Sequence, residues 1–242
     1  MPTAPTKTGC TFAGWYTGIV GSGTEFTEST PVTGDLTVYA LWTMSDGEGN
    51  VYKTVTIGSQ VWIAENLRAT KYNDGMTEVP KVTDPDDWEA LSSPGYCWYE
   101  NDSTTYNEDY GILYNWYTMA DTNSYRLAPD GWHVPTDAEW NTLEEYLGGP
   151  DVAGGKLKEA GITHWSSPNT GATNETGFSA LPGGYRGNSG TFIDIGNYGC
   201  WWSATEGSAA SSWYRSLDYN YANVYRNGSY KRYGFSVRCV RD

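Results

Sequence analysis

The chain has 242 residues, of which 15% are aromatic and only 18% charged, and its formal net charge is −14 at pH 7. The aromatic content is enough for a sizeable core, and the low charged fraction excludes an acidic disordered chain. The negative charge argues against a nucleic-acid partner, because phosphates would be repelled. No apolar run approaches the ~20 residues of a membrane helix, and no signal peptide is visible, so we predict no membrane insertion in this chain.

Residues 1–45 are predicted to form a small β-rich module. Cys10–Tyr16 and Leu36–Trp42 alternate apolar and polar residues, as half-buried strands do, and Gly, Ser and Thr fill the chain between them. Two strands alone are marginally stable in water, so we expect this module to pack against another part of the protein. The polar segment Ser45–Asn50 predicts a linker to a second module, which we assign to residues 46–242.

The second module opens with a predicted hairpin. Val51–Ile57 and Gln60–Ile63 flank Gly58-Ser59, a pattern typical of two antiparallel strands joined by a tight turn. Residues 73–110 are rich in turn signals such as DPDDW and SSPGY. The apolar spacing of the next ten residues predicts a helix over Gly111–Ala120.

The strongest helix signal covers Thr136–Leu147. Thr136 and Glu139 form a T-x-x-E capping box, in which each side chain satisfies a backbone amide that the helix leaves unpaired. Gly148 suits the position that follows a helix end.

From Gly177 onward the chain is predicted to form strands. The strand-like runs are GFSALPGG, YGCWWSAT, SWYRSLDY, ANVYR and GFSVRCV, separated by Gly, Asn and Ser. In the second run, strand alternation predicts that one of Trp201 and Trp202 lies in the core and the other is exposed. The whole pattern predicts an α+β class, with two or three helices and a mostly antiparallel, loop-rich sheet.

The last thirty residues have an unusual composition. Six of the chain's twenty tyrosines fall between Trp213 and Tyr233, interleaved with Asn, Ser and Gly. This composition is typical of binding surfaces, because Tyr supplies contact area at low entropy cost and the small polar residues supply adaptable hydrogen bonds. The alternative is an amphipathic edge hairpin, since Tyr also favours strands.

We predict a ligand-binding site on this segment. Its residues are Tyr214, Ser216, Asp218, Tyr219, Asn220, Tyr221, Asn223, Tyr225, Arg226, Asn227, Ser229, Tyr230, Arg232 and Tyr233. Those expected to point inward as scaffold are Leu217, Val224, Phe235 and Val237. The glycine-rich Gly183–Gly187 opens no helix, so it indicates a turn near the site and not a phosphate cradle.

The charge of this segment differs from that of the rest of the chain. Residues 213–242 carry six basic and two acidic side chains, a net +4, which leaves −18 for the remainder of the −14 chain. On charge alone, an acidic or neutral partner is therefore more plausible than a basic one.

The second module resembles a known family. The segments NVYKTVTIGSQVWIAENLRATKYNDG, APDGWHVPTDAEWNTLEEYLGG, NETGFSALPGGYRG, WWSATE and YGFSVRCVRD occur in this order. Together they resemble the Fibrobacter succinogenes major paralogous domain over about Gly47–Asp242. The resemblance implies a C-type lectin-like fold, related to the formylglycine-generating enzyme fold, in a secreted or surface-anchored bacterial protein. It also implies an extracellular or cell-surface location.

Two further resemblances concern the ends of the chain. KTGCTFAGWYT…TPVTGDLTVYALW resembles the second half of the Listeria–Bacteroides repeat, a small extracellular β-rich spacer. The tail from WWSATE onward resembles the variable region of proteins diversified by diversity-generating retroelements. Those elements mutate adenines, typically in asparagine codons, which never yields Lys, Glu, Gln, Met or Trp. Of these types only Lys231 occurs in residues 214–233. The resemblance implies that varied side chains project from the lectin-fold sheet into a solvent-exposed site.

The sequence predicts no catalytic residue. Its four cysteines, Cys10, Cys97, Cys200 and Cys239, contain no Cys-x-x-Cys pair, so we expect no zinc site. A Cys200–Cys239 disulfide is one possibility, although connectivity cannot be deduced from sequence. Both lie in apolar runs, where a buried, inert thiol is the usual state.

Histidines and acidic residues give no stronger signal of chemistry. His133 precedes the capped helix and His164 lies in a predicted loop, so we interpret both as structural. Ser167-Pro168-Asn169 lacks the acidic or amide residue of the calcium-binding loop of C-type lectins. The acidic run around Asp84 and Asp86 offers oxygen ligands for calcium, but no defined ligand spacing is met, which favours a solvated turn. We predict no metal site and no cofactor.

The sequence thus predicts a non-enzymatic bacterial surface or secreted protein, adhesin-like and monomeric. Its C-terminal segment would form a retroelement-diversified site for a protein or glycan on a C-type lectin-like scaffold. An invariant carbohydrate-binding module of a secreted glycan-degrading system is the alternative, and an enzyme akin to the formylglycine-generating relatives is the third hypothesis.

Overall fold

The computed structural model describes residues 1–120 and 125–242 and is mostly β-sheet with a few short helices, an α+β arrangement. The strands, in chain order, are β1 (Thr11–Tyr16), β2 (Glu25–Phe26), β3 (Tyr39–Ser45), β4 (Val51–Ile57), β5 (Gln60–Ile63), β6 (Tyr96–Cys97), β7 (Leu113–Tyr114), β8 (Trp132–His133), β9 (Gly183–Arg186), β10 (Phe192–Ile195), β11 (Tyr198–Glu206), β12 (Ser211–Asp218), β13 (Tyr225–Tyr230) and β14 (Val240–Arg241). The α-helices are α1 (Pro85–Glu89), α2 (Ser103–Tyr110), α3 (Asp137–Tyr146) and α4 (Pro150–Leu157). Short 3-10 helices occupy Ile19–Gly21, Tyr99–Asn101 and Trp116–Met119.

The strands of the described residues form three sheets. The largest has the order β2-β1-β3-β4-β5-β14-β8, the second has the order β10-β9-β11-β12-β13, and β6 pairs with β7 alone. Pairing is antiparallel except where β9 and β11 meet in parallel at Gly184 and Gly199. The chain between Gly234 and Cys239 connects the sheets, since Phe235 exchanges backbone hydrogen bonds with Tyr114 and the Ser236 amide donates to the carbonyl of Cys200.

The N-terminal strands continue the sheet of the rest of the chain. β3 pairs with β4 from Trp42 opposite Thr54 to Ser45 opposite Val51. The segment predicted as a linker is instead a tight turn, in which the Asp46 carboxylate accepts hydrogen bonds from the amides of Glu48 and Asn50 at 3.0 and 2.9 Å. The expectation that β1 and β3 need support from elsewhere is met by this strand pairing.

Two predicted elements are confirmed, the hairpin with its bounds and the helix to within one residue at each end. Val51–Ile57 and Gln60–Ile63 pair as the antiparallel hairpin of β4 and β5. The helix predicted over Thr136–Leu147 is α3, and Thr136 and Glu139 form both hydrogen bonds of the capping box. Gly148 follows the helix with a φ of 101°, a conformation that favours glycine.

Other predicted elements are wrong. Gly111–Ala120 is not an α-helix: it forms β7 and then the 3-10 helix Trp116–Met119. The reason is tertiary, since the backbone of Tyr114 pairs with Phe235 in preference to closing a helical turn. Of the strand predicted over Gly234–Val240, only Val240 lies in a strand (β14), because the residues before it bond in turn to several different strands.

Two large hydrophobic cores lie on opposite faces of β11. Trp202 belongs to one core, with Tyr114, Trp132 and Phe235, and Trp201 belongs to the other. The prediction that one of these tryptophans is exposed is wrong, because both faces of the strand are covered. The four predicted scaffold residues, Leu217, Val224, Phe235 and Val237, are all buried, as predicted.

No helix within residues 1–120 and 125–242 combines the length and the apolar character that crossing a membrane requires.

A tyrosine-lined cleft as the candidate functional site

The two strands β12 and β13 form a hairpin whose faces have different surroundings. Tyr214 lies opposite Asn227 and Ser216 lies opposite Tyr225. Because side chains alternate along a strand, these four point to the same face. On the other side of β12, β11 adds Cys200 opposite Ser216. Three neighbouring strands thus contribute side chains to one surface.

This surface is the floor of a cleft of about 630 Å³. Eight of the fourteen predicted site residues line it, namely Tyr214, Ser216, Asp218, Tyr221, Tyr225, Asn227, Ser229 and Tyr233. The lining is completed by Tyr185, Asp194, Tyr198, Cys200, Gly228 and Phe235. The volume falls within the ~300–1,000 Å³ typical of ligand pockets.

The two predicted arginines do not line the cleft. Arg226 lies on the opposite face of the hairpin, where its guanidinium forms two hydrogen bonds with the Asp137 carboxylate at 2.8 and 3.0 Å. The same guanidinium stacks on Trp213, with its central carbon 3.5 Å from the ring centroid. Arg232 donates a hydrogen bond to the backbone carbonyl of Glu89. Both cations therefore have partners within the chain.

The other four predicted residues outside the lining lie on the loop before β13 or at its end. Tyr219 packs against the core that contains Trp201, and Asn223 donates a hydrogen bond to Asp151 at 3.2 Å. Asn220 and Tyr230 are exposed.

Six lining residues were absent from the predicted site, and three of these carry a phenol or a carboxylate. Tyr185 lies on β9, Asp194 on β10 and Tyr198 on β11, all upstream of the tyrosine-rich tail. Gly183–Gly187, predicted as a turn, is mostly strand β9, but its predicted position near the site agrees with Tyr185. Glycine is required at Gly184, where φ is 62° and an added Cβ would lie 2.5 Å from the carbonyl oxygen of Ile193.

The lining residues form a network of rings and hydroxyl groups. Tyr185 stacks on Tyr233 at 6.1 Å with an interplanar angle of 28°. Tyr214 packs on Phe235 with ring centroids 4.6 Å apart, and Tyr221 meets Tyr225 edge-on at 6.2 Å. The cleft therefore offers aromatic walls and phenolic hydroxyl groups.

The surroundings raise the pKa of several tyrosine hydroxyl groups in the cleft. Burial, together with the charge of Asp194, raises the pKa of Tyr185 to about 12. A hydrogen bond to Asp218, followed by burial, raises the pKa of Tyr198 to about 12. Burial also raises the pKa of Tyr214 above its usual range. These groups can act as hydrogen-bond donors to Asp194 and Asp218.

The loop that leads from β12 to β13 is held in place by hydrogen bonds from Lys158 and by close packing against α4. The buried Lys158 ammonium donates hydrogen bonds to the backbone carbonyls of Thr170, Asp218 and Tyr221 at 2.9 to 3.0 Å. α4 approaches the same loop so closely that a Cβ on Gly154 would lie 2.3 Å from a backbone oxygen of the loop. These contacts hold the segment that carries Tyr221 in position at the cleft.

The thiols carry no sign of activation. All four cysteines are free, so the Cys200–Cys239 disulfide is not formed. Burial raises the pKa of Cys97 to about 12 and raises those of Cys200 and Cys239 further above the usual thiol value. A thiolate is therefore disfavoured at all three positions.

The histidines and the acidic run serve local structure. His133 bridges the carboxylates of Glu139 and Asp242, and His164 contacts Glu159. Asp84 is the N-cap of α1, where its carboxylate accepts hydrogen bonds from two backbone amides. Across the described parts of the chain, no group of three or more His, Cys, Asp or Glu side chains is placed to hold a metal ion.

Comparison with known families gives the class of the protein. The Fibrobacter succinogenes major domain (Fib_succ_major) matches residues 55–241, and the chain belongs to this family. Residues 1–41 match the Listeria-Bacteroides repeat domain. The two matches confirm the resemblances to these two families, and together they indicate a bacterial surface-associated protein. Neither the curated proteins nor the solved structures contain a significant match to this chain.

Proposed function

We propose that the chain is a non-enzymatic, monomeric ligand-binding protein, adhesin-like, located at the bacterial cell surface or outside the cell. Its binding site would be the cleft on the β11–β13 face, held on a C-type lectin-like scaffold. The observation that carries this proposal is the convergence of eight predicted residues from the tail, with three tyrosine or aspartate residues from earlier strands, on one cleft.

The composition of the cleft supports recognition of a protein or a glycan. Tyrosine rings supply flat contact area, and Ser216, Asn227 and Ser229 supply hydrogen-bonding groups at the floor. The floor is backed by packed cores, since Cys200 and Phe235 belong to one core and Leu217 to the other. A preorganised site loses less entropy on binding.

We further propose that the cleft-facing positions are diversified. The alternation along β12 and β13 sharpens which positions can vary. Tyr214, Ser216, Tyr225, Asn227 and Ser229 face the cleft. The positions expected to stay fixed are the buried Arg215, Leu217, Val224 and Lys231.

The DNA next to the gene tests the diversification. We expect a near-copy of the segment with asparagine codons at the cleft-facing positions and unchanged codons at the buried ones. We also expect sibling genes that differ mainly at the cleft-facing positions. A flanking region without such a copy, with siblings that vary equally at Arg215 and Leu217, would contradict this part of the proposal.

Binding arrays test the site itself. The purified chain would be applied to arrays of glycans and of bacterial and host surface proteins, beside the double variant Tyr225→Ala, Asn227→Ala. Tyr230→Ala is the matched control, because Tyr230 is an exposed tyrosine of the same strand on the other face. Loss of binding in the double variant alone supports the cleft, and equal loss in the control contradicts it.

An invariant carbohydrate-binding module remains the second candidate. The stacked pair of Tyr185 and Tyr233, with rings 28° from parallel, favours it because such platforms suit the flat faces of sugar rings. Glycan binding that depends on this pair, in siblings with an unvaried tail, would support this candidate over diversification.

A further inference from the structure

The cleft has a charge opposite to that of the segment that forms most of it. Two carboxylates, Asp194 and Asp218, line the cleft, and no lysine or arginine side chain is among its lining residues. The tail that contributes most of the lining nevertheless has a net charge of +4. The positions of its basic side chains explain this difference.

The basic side chains of the tail all have partners elsewhere in the chain. Arg215 and Arg226 face α3, where they contact Asp137. Lys231 pairs with Glu206. Arg238 is buried and donates hydrogen bonds to Asn66 and to backbone carbonyls.

The remaining two cations, and the lysine beneath the loop, are similarly engaged. Arg232 donates to the Glu89 carbonyl and Arg241 to the Thr8 carbonyl. Lys158 contacts the backbone of Asp218 but is directed to carbonyl oxygens and does not line the cleft. The expectation of an acidic or neutral partner rested on the net charge of the tail, and the arrangement of the cations removes that basis.

The two carboxylates retain capacity for a ligand. Asp218 accepts hydrogen bonds from the Tyr198 hydroxyl and from the backbone amide of Asn220. Asp194 accepts one from the Tyr185 hydroxyl. A carboxylate has about four lone-pair sites, so each of them can accept further hydrogen bonds.

The walls of the cleft have the chemistry of an aromatic cage. Six tyrosines line it, and Phe235 adds a ring at its base. The face of an aromatic ring is electron-rich and attracts a cation that approaches its centre. Carboxylates beside such rings add a direct charge interaction that strengthens as water is displaced.

We propose that the ligand presents an organic cation, an alkylammonium group, to this cleft. The group would lie among the tyrosine faces, with Asp194 and Asp218 supplying the opposite charge. This proposal rests on the proposed function, since it takes the cleft as the ligand site and specifies the chemistry of the ligand.

Three probes of nearly equal shape test the charge preference. Choline is cationic, 3,3-dimethylbutan-1-ol is its neutral analogue, and 3,3-dimethylbutanoate is anionic. Each would be titrated into the ¹⁵N-labelled chain and followed by the amide shifts of the cleft residues. We expect choline to bind at least about tenfold more tightly than the neutral analogue, as a partly desolvated cation–π contact allows, and the anion to bind more weakly still.

Matched variants test whether choline binds in the cleft. Asp194→Asn keeps the shape of the side chain and suits its positive φ of 64°, and it should weaken choline binding several-fold. Tyr225→Leu should do the same by removing a ring. Asp35→Asn removes one negative charge from an exposed position outside the cleft lining and should leave choline binding unchanged. Retained melting temperatures show that each variant is folded.

A second titration, in which Nα-acetyl-lysine methylamide replaces choline, distinguishes between the possible sources of the cation. Tighter binding of the lysine compound indicates a side chain of a protein partner, and tighter binding of choline indicates a small molecule or a glycan substituent. Equal binding of choline and its neutral analogue, or preference for the anion, overturns the cation proposal.

Failure of this proposal is distinguishable from failure of the proposed function. Array binding that is lost in the Tyr225→Ala, Asn227→Ala variant, with no choline preference, leaves the cleft as the binding site and removes the cation. A choline site in the cleft with array binding unaffected by the same variant supports the cation and contradicts the proposed function.

Discussion

The two faces of the β12–β13 hairpin differ in what their side chains contact. On the face toward α3, Arg215 is 1% exposed and contacts Asp137, Asn141 and Glu144. On the face toward the cleft, Tyr214 packs on Phe235, and the partly buried Tyr225 meets the exposed Tyr221 edge-on. One face is anchored by charge pairs within the chain, and the other is left available to a ligand.

This difference shows how a short segment can combine stability with variation. Residues that determine the position of the hairpin alternate with residues that do not, so substitution of the second set leaves the first intact. The predictions that follow test whether the two faces are as independent as their contacts indicate.

The largest expected effect is on the anchored face. Arg215→Met leaves Glu144 and Asp137 without their buried partner, so we expect the free energy of unfolding to fall by about 3–5 kcal/mol in urea denaturation. Arg226→Met is the control, because Arg226 is 40% exposed and exposed ion pairs contribute less than about 1 kcal/mol. Equal losses of unfolding free energy at the two positions would contradict the view that the buried Arg215 stabilises the hairpin more than the exposed Arg226.

A smaller loss is expected beneath the loop. Lys158→Met removes three hydrogen bonds to carbonyl oxygens of Thr170, Asp218 and Tyr221. We expect a fall of about 2–3 kcal/mol in unfolding free energy, since buried acceptors are left unsatisfied. The same variant should weaken ligand binding, because Tyr221 loses its support. Lys156→Met is the control, because Lys156 is a partly exposed lysine in the last turn of α4, two residues before Lys158.

The N-terminal end of α3, where His133 contacts Glu139, offers a pH-dependent test. Burial lowers the pKa of His133, but hydrogen bonds to Asp242 and Glu139 outweigh it, and the net pKa is raised. A raised folded-state pKa stabilises the protein fully below the unfolded value of about 6.5 and loses this contribution as the pH rises through the folded value. His133→Ala should therefore cost about 1 kcal/mol at pH 5.5 and less at pH 8.5. A pH-independent difference would show that the imidazolium charge has no role.

The smallest effect on stability is expected on the cleft face. Tyr225→Ala and Asn227→Ala should each change the free energy of unfolding by no more than about 0.5–1 kcal/mol, while ligand binding is lost. Losses comparable to that of Arg215→Met would contradict the view that this face is free to vary.

Local signals in the sequence predicted much of the fold. The capping box at Thr136 and the glycine turn between Val51–Ile57 and Gln60–Ile63 are short-range features that the structure confirms. The wrong predictions involve long-range pairing. The helix expected over Gly111–Ala120 is replaced by a bridge to Phe235, more than a hundred residues away, which no local pattern reveals.

The candidate site was also predictable only where local sequence features define it. Composition located the tail, and alternation along β12 and β13 explains why six of the eight lining residues of the tail face the cleft while Arg226 and Tyr230 do not. The other two, Tyr221 and Tyr233, lie outside these strands. Asp194 and Tyr198 reach the cleft through the sheet order β10-β9-β11-β12-β13, which follows from tertiary pairing. The charge of the cleft was unpredictable, because it depends on which cations find partners elsewhere.

The register of β12 has a consequence for how this segment can change. Side chains alternate with a period of two, so a shift of one residue exchanges the two faces of a strand. A single insertion within Ser211–Asp218 would turn Arg215 toward the cleft and set Tyr214 or Ser216 against α3. Replacement of individual residues avoids this exchange. Related sequences are therefore expected to differ in identity at the cleft positions and to keep one common length from Ser211 to Asp218.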